Sequence, residues 1–413
     1  MENIKRVLMQ DIVNHLDKKE ITIITGARQV GKSTMLNEIM LLLKARGLSF
    51  VYFNLDFDNH FNYFKTQETL LQKIGLETDT TGTVFIDEIQ RLPDAGLFLK
   101  GLFDRNTGYK FVVTGSGSLE LKEKIHESLA GRKRMFNMDP VSFIEFVNFK
   151  TGYKYENKLP DFFSVETHQT LAYLDEYLNY GGYPRIITES SHDEKLKLMD
   201  EIFRSYIEKD LVFLLKIEHP GLFRLLIRLL AINFGQISSY NELALKSGIS
   251  VSTLKKYLWY AEKTFCIYPV TPYFSNKLKE ITKSPVFYFN DLGLRNFAIG
   301  QMGQLFLNEQ MGFLFQNFVF HVLRERIKWS NQTIHYWRTT DKAEVDFVIN
   351  GNTGLLPVEV KNAEIKKPVI TRSLRSFIEK YNPQKAWIIN RNYTNQVIIN
   401  KTVVLFKPFY NLL

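Results

Sequence analysis

The sequence predicts an α/β protein that begins with a parallel sheet and closes with a second α/β unit. Before about residue 150, short apolar runs alternate with amphipathic stretches; the runs are ITIIT, FVYFNLD, TVFIDE, KFVVTG and RMFNM. This alternation is typical of parallel strands joined by crossover helices on both faces of a sheet. A long apolar helix follows residue 305, and further strand-like runs come after it: IHYWRT, EVDFVI, PVEVK and KAWIIN.

The composition is that of a globular protein with several domains. The chain of 413 residues is too long to fold around a single hydrophobic core, and 45% of its residues are apolar. A formal charge of +9 favours an anionic partner, because Lys and Arg surfaces attract phosphate backbones. No apolar run is long enough to span a membrane and no signal peptide is visible, so we expect a cytoplasmic protein. The single cysteine, Cys266, is expected to be a buried apolar residue.

Periodicity divides the chain into four predicted domains. Residues 1–152 carry the parallel sheet, and residues 153–232 have mostly helical periodicity, which predicts a helical lid. In residues 233–300, two helices around a glycine turn precede a β pair, and this order favours a winged helix. Residues 301–413 form the predicted second α/β domain.

A phosphate-binding loop follows the first strand. The segment GARQVGKST fits the pattern G-x-x-x-x-G-K-[ST] and lies between the strand ITIIT and the helix MLNEIMLLLK. Its two glycines allow backbone N–H groups and the helix N-terminus to face the phosphates of ATP. Lys32 would neutralise the β and γ phosphates, and the Ser33 hydroxyl would ligate Mg²⁺. The predicted nucleotide-binding residues are Gly26, Ala27, Arg28, Gln29, Val30, Gly31, Lys32, Ser33 and Thr34.

A carboxylate pair ends the run TVFIDE. Its apolar residues predict a buried strand that brings Asp87 to the carboxyl edge of the sheet, where α/β proteins bind ligands. We expect Asp87 to hold Mg²⁺ through water and Glu88 to orient and polarise the attacking water. Such a pair is typical of P-loop NTPases in which a further strand lies between the strand before the P-loop and the strand that ends in the carboxylate pair. The run KFVVTGS would supply that further strand.

Taken together, the motifs resemble those of prokaryotic AAA+ ATPases of the STAND type, which join a P-loop core to winged-helix and restriction-endonuclease-like parts. Besides the P-loop, the resemblance rests on SLAGR…PVSFIEF, NYGGYPRII, SYIEKDL, KSPVFYFND and EVDFVI…PVEVK, and it covers nearly the whole chain. It implies ATP binding and hydrolysis, whereas the biological role of that family is poorly defined.

The resemblance also implies roles for three single residues. Ser116 would be a polar sensor of the γ-phosphate, although a turn-forming serine explains the same letters in TGSGS. Arg132 would be an arginine finger that acts on a neighbouring subunit of a homo-oligomer, but a surface arginine in the basic run GRKR is an equal alternative. Pro184 in GGYP would contact the adenine, unless this segment is a plain helix-terminating turn.

Lys255 and Lys256 are the candidate nucleic-acid contacts. Gly248 permits a turn between two helices, and Ser250 can cap the second helix, which bears both lysines. A winged helix can also be a packing unit or a protein dock, so DNA contact is one of two interpretations.

The last domain resembles the core of the PD-(D/E)XK nucleases. Strand alternation would set Asp346, Glu359 and Lys361 on one face, where the two carboxylates could hold Mg²⁺. Lys361 could stabilise a hydroxide or the developing phosphorane charge. Gln316 stands where related sequences tend to carry a carboxylate, and an amide binds a divalent cation more weakly. We therefore expect weak or absent cleavage.

Three functions fit these features. We favour an ATP-driven switch that acts on DNA or another nucleic acid, in which ATP closes the lid and repositions the C-terminal domains. A signalling or scaffold ATPase with a protein partner would be preferred if the basic residues are scattered. An ATP-regulated, metal-dependent nuclease requires that Gln316 is tolerated.

Overall fold

A computed structural model describes residues 3–78, 81–116, 128–206, 219–274, 284–304, 310–352 and 354–413. Most of the motif SYIEKDL and the end of TGSGS lie outside these described residues.

Five parallel strands form the N-terminal sheet, as the alternation predicted. Their order is β2, β3, β4, β1, β5, and the strands are β1 (Ile21–Gly26), β2 (Phe50–Asn54), β3 (Gly82–Asp87), β4 (Tyr109–Ser116) and β5 (Lys133–Met138). Strand β4 lies between β1 and β3, which is the intervening strand that the sequence predicted. Because the strands are parallel, the carboxyl ends of β1, β3 and β4 share one edge of the sheet.

Both faces of this sheet are buried because successive strand residues alternate between them. Ile24, Phe85 and Val112 pack into one core, whereas Ile23 and Val113 pack into the other. The helices of this region are α1 (Leu8–Asn14), α2 (Lys32–Ala45), α3 (Asp58–Phe61), α4 (Gln67–Glu77), α5 (Ala95–Asp104) and α6 (Phe143–Lys150), with short 3-10 turns at Asn62–Lys65 and Ile89–Arg91.

A helical region follows, as the periodicity predicted. Its helices are α7 (Leu159–Val165), α8 (Thr167–Tyr180), α9 (Pro184–Thr188) and α10 (His192–Ser205). Gly181 ends α8 with a φ of 75°, and a Cβ at this position would lie 2.4 Å from the carboxylate of Asp291. Only glycine fits here, so the turn between α8 and α9 is fixed by its contact with Asp291.

The next region has three helices and an antiparallel strand pair. Its elements are α11 (Pro220–Ile232), α12 (Tyr240–Ser247), α13 (Val251–Lys263), β6 (Ile267–Val270) and β7 (Val286–Phe289). Gly248 separates α12 from α13 with a φ of 68°, and the Ser250 side chain caps α13 by accepting from the Thr253 amide at 3.1 Å. Both features were predicted. Ile237 adds an isolated antiparallel bridge to Val286.

The C-terminal region holds a six-stranded mixed sheet in the order β12, β13, β11, β10, β9, β8. Its elements are α14 (Leu292–Ala298), α15 (Met311–Ile327), β8 (Thr333–Arg338), β9 (Glu344–Gly351), β10 (Gly354–Lys361), α16 (Arg372–Tyr381), β11 (Lys385–Asn390), β12 (Asn395–Ile399), β13 (Thr402–Pro408) and a 3-10 turn at Phe409–Leu412. The expectation of four strands was incomplete. Strand β12 has no fully buried residue, so its alternation gives little signal, and the antiparallel pair it forms with β13 was missed.

One hydrophobic core joins the first and last regions. It extends from Ile4 to Leu412, and in it the Phe318 ring on α15 lies edge-on to Phe143 at 5.4 Å and to Phe409 at 5.6 Å. Edge-to-face aromatic pairs of this kind add stability beyond their buried area. Helix α15 is therefore packed directly against the helix that follows the N-terminal sheet.

Candidate nucleotide site

The loop between β1 and α2 has the backbone of a phosphate cradle. Gly31 precedes α2 with a φ of 102°, and Gln29 has a φ of 60°. Left-handed residues in such a loop turn successive N–H groups toward one concave side. Gly26 approaches β5 so closely that a Cβ would lie 2.2 Å from the Met138 carbonyl oxygen. The glycines of the motif are thus required by geometry.

Lys32 is the cation of this loop. It is buried, and its ammonium group donates to the carbonyl oxygens of Gly26 at 3.1 Å and Ala27 at 2.8 Å. Val30 is buried below the loop, while Arg28 is half-buried and Thr34, on the first turn of α2, is exposed. The loop therefore has a positive charge and a helix N-terminus at the same edge of the sheet.

Asp87 ends β3 beside the loop and is almost fully buried. Its Oδ2 accepts from the Ser33 hydroxyl at 2.8 Å and from the Tyr52 phenol at 3.1 Å, and its Oδ1 accepts from the Thr114 hydroxyl. Burial, reinforced by the Asp87 carboxylate, raises the pKa of Tyr52 to about 12, so the phenol remains a donor. The two side chains that the sequence predicts as holders of Mg²⁺, Ser33 and Asp87, are therefore in direct contact.

Glu88 follows Asp87 in a left-handed conformation, with a φ of 59°. Its carboxylate accepts from the Gln90 side-chain amide, whose oxygen in turn accepts from the Ser116 backbone N–H at 3.2 Å. Gln90 thus joins the ends of β3 and β4. Sequence reasoning missed this residue because it lies in a short turn with no motif.

Ser116 lies at the carboxyl end of β4, next to Gly26 in the sheet register. Its hydroxyl oxygen is buried, and among the described residues it has no hydrogen-bond partner. A buried hydroxyl without a partner is costly unless something else satisfies it. The role of Ser116 as a sensor of the γ-phosphate stays a prediction.

Arg132 lies at the opposite edge of the sheet. Its carbonyl oxygen accepts from Ile21 at the start of β1, whereas the P-loop begins at the end of that strand, about 17 Å away at 3.3 Å per residue. The Arg132 guanidinium is paired with Asp104 at 2.7 Å. This arginine could therefore act only on a nucleotide held by another copy of the chain.

The helical region contacts the P-loop through an arginine that no sequence motif marks. Pro184 is the first residue of α9, and the neighbouring Arg185 donates to the Gln29 side chain at 3.3 Å and to Glu201 at 2.9 Å. The preceding Gly182 amide donates to Asp291 at 2.6 Å. The GGYP segment is therefore anchored on one side and faces the phosphate loop on the other.

An N-terminal arginine forms a second contact with the loop. Arg6 is buried, donates to the Val30 carbonyl at 2.9 Å and to the Asp139 carbonyl at 2.6 Å, and pairs with Glu145 at 3.1 Å. Its position in the run NIKRVL gave no signal, because an isolated arginine before a helix is normally exposed.

The two C-terminal carboxylates come from neighbouring strands, β9 and β10. Asp346 and Glu359 are adjacent across β9 and β10, and Lys361 contacts Glu359 at 2.6 Å. Gln316 donates to Asp346 at 3.1 Å. Burial, partly offset by the hydrogen bond from the Val360 amide, raises the pKa of Asp346 to about 7. The Thr371 hydroxyl donates to Glu359 at 2.8 Å.

Lys255 and Lys256 are both exposed on α13, the helix capped by Ser250. Their ammonium groups lie 5.4 Å and 5.7 Å from the rings of Tyr240 and Tyr260. They are available to a partner on the outer face of the helix.

Two features are absent from the described ranges. No group of three or more His, Cys, Asp or Glu residues there could hold a metal ion. Within the same ranges, no helix combines the length and the apolar character that crossing a membrane requires.

Comparison with known proteins agrees with the geometry of the first site. A protein-family profile described as an AAA domain matches residues 18–147. Two profiles described as domains of unknown function, DUF8612 and DUF4143, match residues 171–305 and 311–410. The P-loop, the strand order and this match identify residues 18–147 as an AAA-type P-loop ATPase domain.

Curated relatives span most of the chain. An uncharacterized protein of Methanocaldococcus jannaschii is 28% identical over 351 residues, which cover 84% of this chain and 76% of the relative. An uncharacterized protein of Haemophilus influenzae is 24% identical over 414 residues and covers 96% of both chains.

Solved structures show partial similarity only. AMPPCP-bound DnaA from Aquifex aeolicus is 12% identical over 64% of this chain and 89% of that chain, with a TM-score of 0.31. Cdc6p from Pyrobaculum aerophilum is 12% identical over 72% of this chain and 92% of that chain, with a TM-score of 0.28. Similarity at this level decides nothing about substrate.

Proposed function

We propose that this protein is an ATP-hydrolysing switch that acts on nucleic acid. The observation that carries the ATPase part is the contact between Ser33 of the P-loop and Asp87 at the end of β3, inside a domain of the AAA type. These two groups stand where the phosphates and their counter-ion must meet.

Phosphate binding follows from the loop. The N–H groups around Gln29 and Gly31 and the N-terminus of α2 offer donors and a partial positive charge to an anion. Lys32 already lies within the loop, and its hydrogen bonds to two carbonyl oxygens can be exchanged for bonds to phosphate oxygens. After this exchange, the Lys32 ammonium group would compensate the negative charge of the ATP phosphates.

The donor set beside the loop fits Mg²⁺. Ser33 and Asp87 supply a hydroxyl and a carboxylate, the hard oxygen ligands that this ion prefers in phosphate sites. Mg²⁺, when bound, would neutralise charge that develops on the phosphate oxygens. Tyr52 and Thr114 would keep the Asp87 carboxylate oriented toward Ser33.

Hydrolysis requires a base for water, and Glu88 is the carboxylate in position. In this structure its side chain is held by Gln90, which also binds the Ser116 amide. Release of Glu88 from Gln90 would free the base. The Ser116 hydroxyl, which has no hydrogen-bond partner among the described residues, would sense the γ-phosphate. Arg185 would transmit this event to the lid, because it contacts Gln29 of the loop.

Three features support the nucleic-acid part. The order α11, Ile237 bridge, α12, α13, β6, β7 resembles the order expected of a winged helix, and Ile237 pairs with β7 as a third strand would. Lys255 and Lys256 are exposed on the second helix of this unit. The chain carries a net charge of +9, which favours contact with phosphate backbones.

A metal-dependent nuclease is the second candidate, and one observation favours binding over cleavage. Asp346 and Glu359 come from neighbouring strands, but their oxygens are already bonded to Gln316, Val360, Thr371 and Lys361. The residues fit Mg²⁺ only in part, since two carboxylates are present and the third group is an amide. We infer a nuclease-like domain with little or no catalytic activity.

The test is ATP turnover measured with and without DNA or RNA at one salt concentration. Turnover that depends on Glu88 and rises with nucleic acid supports the proposal. Turnover that nucleic acid leaves unchanged would favour the scaffold ATPase with a protein partner.

A further inference from the structure

The outer strands of the C-terminal sheet leave part of one sheet face uncovered. On this face Leu405 of β13 lies beside Trp387 of β11, and on the other side of β13, Val403 lies beside Ile398 of β12. Helix α15 covers the same face over β10, where Val358 is fully buried. Farther out, Val403 and Leu405 are half-buried and pack against no core of the described residues, while Ile398 is 65% exposed. An apolar strip of these three side chains therefore crosses β12 and β13.

Positive side chains lie beside this strip. Lys385 is two residues before Trp387 on β11 and Lys407 is two residues after Leu405 on β13, so both lysines share the face of the strip. The Lys407 ammonium group lies 4.6 Å from the centre of the Trp387 ring, and the Arg326 guanidinium lies 5.7 Å from it. Lys385 and Arg326 are exposed. The strip and these three cations make up the basic face.

No carboxylate balances the charge of the basic face. From residue 380 to residue 413 the chain has five Lys or Arg residues and no Asp or Glu. Within the part of the chain that the structure describes, Arg326, Lys385 and Lys407 form no ion pair. Burial, and then the charges of Arg326 and Lys385, lower the pKa of Lys407. Cations that repel one another in this way favour the binding of an anion.

A single strand of nucleic acid matches the basic face better than a duplex does. The phosphates of a single strand supply the negative charge that the three cations lack, and its unpaired bases have apolar faces that can cover the strip. A duplex keeps its bases stacked inside and presents phosphates, sugars and base edges. It would contact the cations but leave the exposed Ile398 side chain in water.

We propose that the basic face binds single-stranded DNA or RNA, with the phosphates at the three cations and the bases on the apolar strip. This inference rests on the proposed function, to which it adds a second contact surface and the form of nucleic acid bound there. Lys255 and Lys256 of the winged-helix unit would remain the contact for duplex DNA.

The experiment measures binding of the full chain to a fluorescent oligothymidylate of about 20 nucleotides, which is longer than one site of this kind. A duplex of the same length is measured beside it, at several salt concentrations. Lys385→Gln combined with Lys407→Gln should weaken single-strand binding about tenfold at low salt. The slope of log Kd against log salt should become shallower by about 1.4, because each lost phosphate contact contributes about 0.7. Duplex binding should not change.

Lys44→Gln combined with Lys65→Gln is the matched control for the lysine variant. It removes the same charge from exposed positions in the N-terminal domain, and single-strand binding should stay as in the unaltered protein. Equal losses in the control and in the lysine variant would overturn the proposal, because only the net charge of the chain would then matter.

Ile398→Ser tests the apolar strip. Single-strand binding should weaken severalfold with the salt slope unchanged, because apolar contact is lost and no phosphate contact is. The melting temperature should not change, since the side chain is 65% exposed. Leu76→Ser, at an 83% exposed position of α4, is its control and should bind normally. If the lysine variant is less stable than the unaltered protein, Ile398→Ser decides alone.

Failure of this inference can be told from failure of the proposed function. Full single-strand binding in the lysine variant, while Lys255→Ala combined with Lys256→Ala lowers duplex binding, would overturn the basic face and leave the proposed function standing. Binding of phosphatidylserine vesicles without binding of the oligonucleotide would also overturn it, because a lipid surface would then be the partner. If the unaltered chain binds neither single strand nor duplex at low salt, both proposals fail.

Discussion

The hydroxyl of Ser33 donates to the carboxylate of Asp87 across 2.8 Å, and this contact joins the first helix of the P-loop to the strand that carries the acidic pair. The two residues are far apart in sequence and come from different strand–helix units. In the sheet, β4 lies between β1 and β3. The loop after β1 therefore reaches across the end of β4 to contact Asp87.

Lys32→Ala should abolish measurable ATP binding, a loss of more than about a hundredfold in affinity, because it removes the buried cation that compensates the phosphates. The measurement is equilibrium binding of a fluorescent ATP analogue. Lys44→Ala, on the exposed last turn of the same helix, is the matched control and should bind normally. Micromolar binding by Lys32→Ala would show that the site is elsewhere.

Ser116→Ala should lower ATP turnover about tenfold while leaving the melting temperature unchanged or slightly higher, because the hydroxyl has no partner among the described residues. Steady-state turnover and thermal unfolding give the two values. Thr25→Val removes another buried, unpaired hydroxyl from the same sheet and should not affect turnover. Equal turnover in Ser116→Ala and the unaltered protein would show that Ser116 is a turn-forming residue and not a sensor of the γ-phosphate.

Gln316→Glu should make the C-terminal site dependent on metal. The new carboxylate would lie beside Asp346, so repulsion should lower the melting temperature without Mg²⁺, and added Mg²⁺ should restore it. Nicking of plasmid or single-stranded DNA should appear in this variant and disappear when Asp346→Ala is added. Strong cleavage by the unaltered protein would show that the amide is tolerated and that a nuclease is the better description.

His15 should make the N-terminal domain sensitive to acid. The imidazole is almost fully buried, and burial, with help from Lys110, lowers its pKa to about 4. Because the folded pKa is below the unfolded value of about 6.5, the stability is complete above pH 6.5 and is lost as the pH falls toward 4. Between pH 8 and pH 5 the loss should be about 2 kcal/mol.

The measurement for His15 is urea unfolding at pH 8 and pH 5. His15→Gln keeps a polar side chain near the Thr22 hydroxyl, which lies 2.8 Å from the imidazole, but it does not titrate. The difference between the two proteins should therefore shrink or reverse at pH 5. A constant difference at both values would mean that the imidazole is protonated in the folded state.

Much of the nucleotide site could be predicted because it is local in sequence. The P-loop is one continuous motif, and the apolar run before Asp87 predicts a buried strand. Periodicity and turn chemistry therefore predict the positions of the loop and of this strand. The intervening strand was also predictable, since the residues from Lys110 to Gly115 are continuously apolar or β-branched apart from their first member.

The contacts that depend on distant parts of the chain could not be predicted. Arg6, Gln90 and Arg185 reach the site from three separate segments, and no spacing in the sequence shows that they meet. An amphipathic pattern predicts which face of a helix or strand is buried, but it does not predict which part of the chain packs against that face.

The most direct test of the account is steady-state ATP turnover by the unaltered chain, Glu88→Gln and the double variant Lys255→Ala with Lys256→Ala, each with and without DNA or RNA at one low salt concentration. We predict turnover that nucleic acid increases, a fall of about a hundredfold or more in Glu88→Gln with ATP still bound, and a smaller increase in the double variant. Turnover that survives in Glu88→Gln, or that nucleic acid leaves unchanged at low salt, would contradict the account.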